Sequence, residues 1–156
     1  MATASRDRIV IYCDGACSGN QSATNVGGWG AVLRYKDKVK EIFGGERNTS
    51  NQRMELTACI KALEAVTSNH IPVDIYSDSA YLINCMRDKW YVTWQKNGWK
   101  NAKKQPVENQ DLWKQLLAEL AKRTVRFQKV AGHAGVALNE RADQLARTGI
   151  QKLNGR

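Results

Sequence analysis

Histidine is scarce in this chain, with two among 156 residues, and its four cysteines include no Cys-x-x-Cys pair. That combination offers neither a zinc ligand set nor the framework of a disulfide-stapled secreted domain, so Cys13, Cys17, Cys59 and Cys85 are expected to be reduced thiols. No apolar run approaches membrane-spanning length, and the first eight residues carry Arg6, Asp7 and Arg8 where a signal peptide needs an apolar stretch. A soluble, cytoplasmic protein is expected. Acidic residues are in deficit, 15 against 24 Lys and Arg, for a formal charge of +9. The imbalance favours a polyanionic partner, nucleic acid first. The chain also lacks a long linker, and its length fits one domain able to bury its own core.

What is present centres on a repeated pattern. Ile11-Tyr12-Cys13-Asp14 and Ile75-Tyr76-Ser77-Asp78 both read Ile-Tyr-x-Asp at the end of a short β-branched run. Either aspartate alone reads as a turn opener, since Asp-Gly and Asp-Ser are ordinary turn chemistry. The repetition points elsewhere. Two neighbouring strands of this form would carry two carboxylates into the crevice where open α/β sheets place their sites.

Taken in order, residues 1–7 read as a lead-in, and a strand from Arg8 to Asp14 gives way to a turn over Gly15-Ala16-Cys17-Ser18-Gly19-Asn20. Val26 to Tyr35 and Val39 to Gly45, separated by Lys36-Asp37-Lys38, continue it as an antiparallel meander. A capping box of Thr49 and Gln52, with Leu56, Cys59, Ile60, Leu63 and Val66 on one face, predicts a helix over 51–67. Pro72 opens the second Ile-Tyr-x-Asp strand, and Tyr81, Leu82, Cys85 and Met86 mark a helix after it. Leu112, Trp113, Leu116, Leu117 and Leu120 mark another helix, Thr124 to Val130 a strand. Asn139 to Arg147 is a final helix, capped by Asn139 and stopped by Gly149. Residues 151–156 read as a tail. Residues 87–104 break this pattern, with six Lys/Arg and with Trp90, Tyr91, Trp94 and Trp99 set around an Asn97-Gly98 turn signal.

Glu55 falls one turn into the first helix, off its apolar face, and Asp143 one turn into the last. Alone, each is an ordinary helical acid, Asp143 favoured by the helix dipole. If both helices bring their N-terminal ends to the crevice, four carboxylates converge, and such a cluster persists only with cations to offset the repulsion. Oxygen-only ligands favour Mg²⁺ or Mn²⁺ over zinc. Paired ions about 3.5–4 Å apart suit phosphodiester cleavage, and a basic surface around an acidic pocket suits a nucleic acid substrate.

The chain resembles a bacterial-type ribonuclease HI from Arg8 to Ile150, the span read as the catalytic domain (8–150). The motifs that carry the resemblance run in order. They are Asp14-Gly15-Ala16-Cys17-Ser18-Gly19-Asn20, Gly27-Gly28-Trp29-Gly30-Ala31, Asn51-Gln52-Arg53-Met54-Glu55-Leu56, Ser77-Asp78-Ser79, Trp94-Gln95-Lys96-Asn97-Gly98-Trp99-Lys100, and Gly132-His133-Ala134-Gly135 followed by Asn139-Glu140-Arg141-Ala142-Asp143. The resemblance implies an α/β ribonuclease H-like fold. Its sheet is a mixed five-stranded one, with the first three strands antiparallel and the remainder parallel, helices on both faces and a basic protrusion. It implies an endonuclease that cuts the RNA strand of an RNA/DNA hybrid and leaves a 5′-phosphate and a 3′-hydroxyl. Asp14, Glu55, Asp78 and Asp143 match the metal-binding catalytic carboxylates, with two ions expected once substrate is bound. His133 matches a mobile histidine that assists proton transfer or product departure.

Further matches concern the substrate. Cys17, Asn20, Asn51 and Gln52 fall at positions that read the minor groove, where the 2′-hydroxyl tells RNA from DNA. Trp90 matches the aromatic of a channel for the DNA strand. Ser50, Asn109 and Asn48 align with a DNA-phosphate pocket. Lys96 and Lys100, with Lys89, Lys103 and Lys104, resemble the protrusion that grips the hybrid, while Trp94, Trp99 and Trp113 read as packing residues. The sequence departs from the family after Asn20, where Gln21 to Val26 replace a Pro-Gly-rich tract, and at Cys13, which stands where threonine is common. Neither change touches a carboxylate. A monomer with no obligatory protein partner and no room for an added N-terminal hybrid-binding domain is expected. The alternatives are a non-catalytic hybrid-binding module, or another nuclease of this fold acting on DNA.

Overall fold

In the computed structural model the described residues are 7–18, 25–130 and 137–154. A single sheet has the strand order β3-β2-β1-β4-β5. Its strands are β1 (Ile9–Ser18), β2 (Val26–Tyr35), β3 (Lys38–Arg47), β4 (Val73–Ser77) and β5 (Val125–Lys129). β1, β2 and β3 are antiparallel, whereas β4 pairs parallel to both β1 and β5. The helices are α1 (Asn51–Glu64), α2 (Ala80–Asp88), α3 (Trp90–Lys96), α4 (Gln110–Leu120) and α5 (Ala137–Asn154).

Alternation along β1 explains the layers. Ile9, Ile11 and Cys13 join the larger core with Leu56, Cys59, Leu63 and Trp113, while Tyr12 on the opposite face packs with Val32, Ala142 and Leu145 beneath α5. Asp14 therefore lies on the α5 side, and Gly15 on the α1 side. A Cβ at Gly15 would strike the backbone of Met54 and Glu55, so glycine lets the first turn of α1 close onto the strand. All four cysteines are free thiols.

Several boundaries differ from the sequence reading. Gly15 to Ser18 are not a turn: β1 runs on through them, paired with Trp29 to Val26, because β2 supplies ladder partners for the whole stretch. Ser50, not Thr49, caps α1, its Oγ accepting the Arg53 N–H at 3.1 Å, and the helix ends at Glu64. Asn139 is buried inside the first turn of α5 rather than ahead of it. Gly149 does not stop α5, which continues to Asn154 through part of the expected tail. There the missing Cβ serves contact, since a side chain at 149 would collide with the Gly44 carbonyl of β3. Asn97-Gly98 does turn the chain, with Gly98 at φ +77. Among the described residues no helix is long and apolar enough to cross a membrane.

Candidate active site

The two Ile-Tyr-x-Asp segments are direct neighbours in register. Ile11 pairs with Ile75 and Tyr12 with Tyr76, and the two tyrosine rings stack at 4.7 Å with planes 11° apart. Two residues beyond the last pair, β1 presents Asp14, and β4 has just ended at Asp78. Equal spacing after a parallel pairing thus brings both carboxylates to one end of the sheet.

Asp14 is buried at 9% exposure, and its Oδ1 accepts the Gly15 N–H at 2.9 Å. Burial, the charge of Asp78 and the Asp143 carboxyl within hydrogen-bonding reach push its pKa up to about 8, against the smaller lowering by Gly15. Glu55 arrives from α1, one turn in from its start. Burial and the Asp78 charge raise its pKa, while a hydrogen bond from Ser79 opposes them. Asp143, on α5, pairs with Arg147 one turn on, at 3.1 Å. The four acids therefore share one electrostatic neighbourhood. Among the described residues no three His, Cys, Asp or Glu side chains are gathered closely enough to form a ready metal shell. The donor set nevertheless fits a hard divalent ion, being all carboxylate oxygen and carrying more negative charge than Asp14 can hold ionised at neutral pH.

Ser79 belongs to the site but was not singled out in the sequence. Its Oγ accepts the Leu82 N–H at 3.1 Å as the cap of α2 and donates to Glu55 Oε1 at 2.8 Å. Its own N–H donates to Ser77 Oγ at 3.0 Å. The available signal was the Ser-x-Ser that brackets Asp78.

The residues expected to meet substrate fall into two groups. Around the start of α1, Asn25 clamps the chain by donating to the Thr49 carbonyl and accepting the Thr49 N–H, both at 2.9 Å. Cys17 Sγ lies 3.9 Å from the same carbonyl. Asn48, in the left-handed region at φ 56, leads to Ser50 and to exposed Asn51 and Gln52. Asn109, also left-handed at φ 61, donates to the Tyr81 hydroxyl at 3.1 Å and accepts from Arg53 at 3.2 Å. Arg53, which the sequence reading passed over, also makes a forked pair with Asp111 at 3.0 and 2.8 Å. The second group lies along residues 90–100, from α3 into the turn after it. Trp90 is 38% exposed and sits edge-on to Trp94, which also contacts Trp99 and the fully buried Trp113. Lys96 and Lys100 are exposed beside the Asn97-Gly98 turn. Asn20 and His133 lie outside the described residues.

A family model for RNase H matches residues 6–151, and the chain belongs to the ribonuclease H family. Ribonuclease H of Syntrophomonas wolfei subsp. wolfei is 55% identical over 145 residues, spanning 93% of this chain and 97% of that protein. Ribonuclease H of Moorella thermoacetica is 52% identical over 145 residues and 93% of each chain. Among solved structures, LC9-RNase H1, a type 1 RNase H with the type 2 active-site motif, has a TM-score of 0.82 at 29% identity. The match covers 94% of this chain and 73% of that one. A foamy viral protease-reverse transcriptase in complex with RNA/DNA hybrid shares the fold, with a TM-score of 0.78 at 24% identity over 97% of this chain and 21% of that one.

Proposed function

We propose that the chain is an endonuclease that hydrolyses the RNA strand of an RNA/DNA hybrid in a metal-dependent reaction, leaving a 5′-phosphate and a 3′-hydroxyl. The observation that carries this reading is the placing of Asp14 and Asp78 at the shared end of two paired strands, where burial and neighbouring acids raise the pKa of Asp14. Ribonuclease H relatives more than half identical over nearly the whole chain support it.

Asp14, Glu55, Asp78 and Asp143 would hold Mg²⁺ or Mn²⁺, two ions when hybrid is bound. Bound there, such ions supply activation of water and stabilisation of the departing oxygen. The chain's own part is positional. The Gly15 N–H fixes one oxygen of Asp14, and Ser79 fixes one of Glu55. His133 is assigned to proton transfer or product departure. Cys17, Asn20, Asn51 and Gln52 are assigned to the minor groove and its 2′-hydroxyls. Asn48, Ser50 and Asn109 take a phosphate of the DNA strand, Trp90 lies against its sugars and bases, and Lys96 and Lys100 hold the backbone electrostatically. The working form is a cytoplasmic monomer.

The test presents one end-labelled RNA alone, in RNA/RNA and in RNA/DNA, with Mg²⁺ or EDTA, to the wild type and to Asp14→Asn. Cutting of the hybrid alone, dependent on metal and lost in the variant, is the expected result. Tight binding with no cutting in Mg²⁺ would replace the enzyme with a hybrid-binding module, and preferential cutting of DNA would replace the substrate.

A further inference from the structure

A cleft of about 380 Å³ opens between the C-terminal ends of α2 and α4 and the edge strand β5. Val125 and Phe127, which line it, pair with Val73 and Ile75, so they belong to the part of β5 away from Asp78. The cleft is therefore separate from the carboxylate site. Its walls are of two kinds: Val125, Phe127 and Tyr91 offer apolar and aromatic surface, while Arg87, Lys89 and Arg123 offer three cationic side chains. Arg87 and Lys89 are exposed.

Arg123 is the informative member. Its side chain is 6% exposed, and its Nη1 donates to the Glu119 carbonyl at 2.9 Å and to Glu119 Oε1 at 3.0 Å. Its Nε is buried and has no hydrogen-bond partner among the described residues. A buried guanidinium donor left unmet is uncommon in folded proteins, and here it leaves the charge of Arg123 only partly compensated beside the cleft. Glu119 offsets one of the three positive charges, which leaves about two facing the cleft. A phosphate monoester carries about −1.5 to −2 at neutral pH and accepts several charge-assisted hydrogen bonds. The volume lies within the roughly 300–1,000 Å³ of small-molecule sites.

We propose that this cleft binds an organic phosphate monoester. Its phosphate meets Arg87 and Lys89, with the Arg123 guanidinium adding positive charge from the cleft wall, and its apolar or planar body lies against Phe127 and Tyr91. Two sources carry that chemistry, a free nucleoside monophosphate and the 5′-phosphorylated end of a short RNA.

The full chain, labelled with ¹⁵N and kept in EDTA, is titrated with 5′-AMP, a 5′-phosphorylated RNA dinucleotide, adenosine or inorganic phosphate. The Arg123 Nε–H signal and the amides of residues 87–91 and 123–127 are followed by NMR. Saturable shifts there are expected with a phosphate monoester, and binding about tenfold weaker or more with adenosine or inorganic phosphate, as loss of a charge-assisted bond or of apolar contact implies. Saturation by 5′-AMP identifies a free nucleotide as sufficient, and saturation by the dinucleotide alone identifies an RNA end; either supports the cleft. The double variant Arg87→Ser/Lys89→Ser keeps the buried Arg123–Glu119 pair and should weaken binding about tenfold or more. Three results would overturn the proposal: inorganic phosphate bound as tightly as 5′-AMP, shifts confined to the carboxylate end or to residues 92–104, or unchanged affinity in the double variant.

Discussion

Asp14 and Asp74 are buried aspartates on adjacent strands and on the same face of one sheet, and their surroundings treat them in opposite ways. Asp74 accepts from Arg8 Nε at 2.8 Å and from Arg126 Nε and Nη2 at 3.0 and 3.1 Å. Burial by itself would raise its pKa, but the hydrogen bonds and charges of Arg126 and Arg8 outweigh that and lower it. Asp14 has one backbone donor and two acidic neighbours, and is raised to about 8. Burial is common to both, so it does not separate a structural acid from a functional one; the sign of the neighbouring charges does. Asp74 is neutralised within the fold. Asp14 is kept in conflict with it, which is the condition a cation-holding site requires.

Replacing each acid by its amide should make the contrast measurable. Asp14→Asn is expected to reduce hybrid cleavage by roughly 10³-fold or more, since it removes a negative ligand from the reacting centre. In EDTA at neutral pH the same change should raise Tm by a few degrees, because the amide spares the proton uptake that burial and the neighbouring acids impose on Asp14 when the chain folds. The pH dependence carries the sign. Folded Asp14 keeps its proton to about 8, whereas the unfolded residue releases it near the ordinary aspartate value of about 3.9. Between those limits the folded state binds more protons, so stability in EDTA falls as pH rises and levels off above about 8. The Tm gap between wild type and variant should close as pH falls towards 4. A gap of constant size across that range would mean that Asp14 is not the strained group.

Asp74→Asn should do the reverse. A loss of roughly 2–3 kcal/mol in denaturant unfolding is expected, because Arg8 and Arg126 are left facing a neutral amide, with cleavage per folded molecule retained. Its depressed pKa places the wild-type contribution above the unfolded value of about 3.9 and removes it as pH falls through the still lower folded value. The two proteins should therefore converge in stability only in strong acid.

Smaller effects sharpen the picture. Ser79→Ala removes the cap of α2 and the donor to Glu55, so about 1 kcal/mol of stability should go with it. Activity is expected to fall about tenfold and to recover in part at higher Mg²⁺, which a lost cap alone would not produce. Lys96→Ala and Lys100→Ala should each leave kcat in place and raise KM a few-fold. Each should also reduce the slope of log affinity against log salt by about 1. Unaltered slopes in both would remove the protrusion from the phosphate contacts.

Much of this contrast was legible in the residues. Ile-Tyr-x-Asp occurs twice because β1 and β4 pair in that register, so the repetition reported a spatial neighbourhood as well as a local form. The antiparallel meander, the helices that carry Glu55 and Asp143, and the turn at Gly98 followed from periodicity and turn chemistry, and the mixed five-stranded sheet from the family resemblance. What was not legible depended on partners distant in the chain. Asp74 sits within β4, but its arginines are 66 and 52 residues away, and no local pattern announces them. Gly15 to Ser18 look like a turn until β2 provides a ladder, and Gly149 looks like a stop until β3 comes close enough to need the missing Cβ. Arg53 reads as a solvated charge until Asp111 arrives from α4 to fork with it.

The glycine contact beneath α5 also sets a mechanical tolerance for the site. Gly149 against the Gly44 carbonyl and Gly28 against the Ala146 carbonyl act as detents, since the helix fits β2 and β3 at those points without room for an added carbon. Asp143 rides on the same rod, six residues or about 9 Å away. Advancing the rod by one residue would carry that carboxylate about 1.5 Å along the axis and swing it by about 100°. The aim of one acid in the crevice is thus indexed by two positions that carry no side chain, one on the far stretch of the helix and one on the strand beneath it.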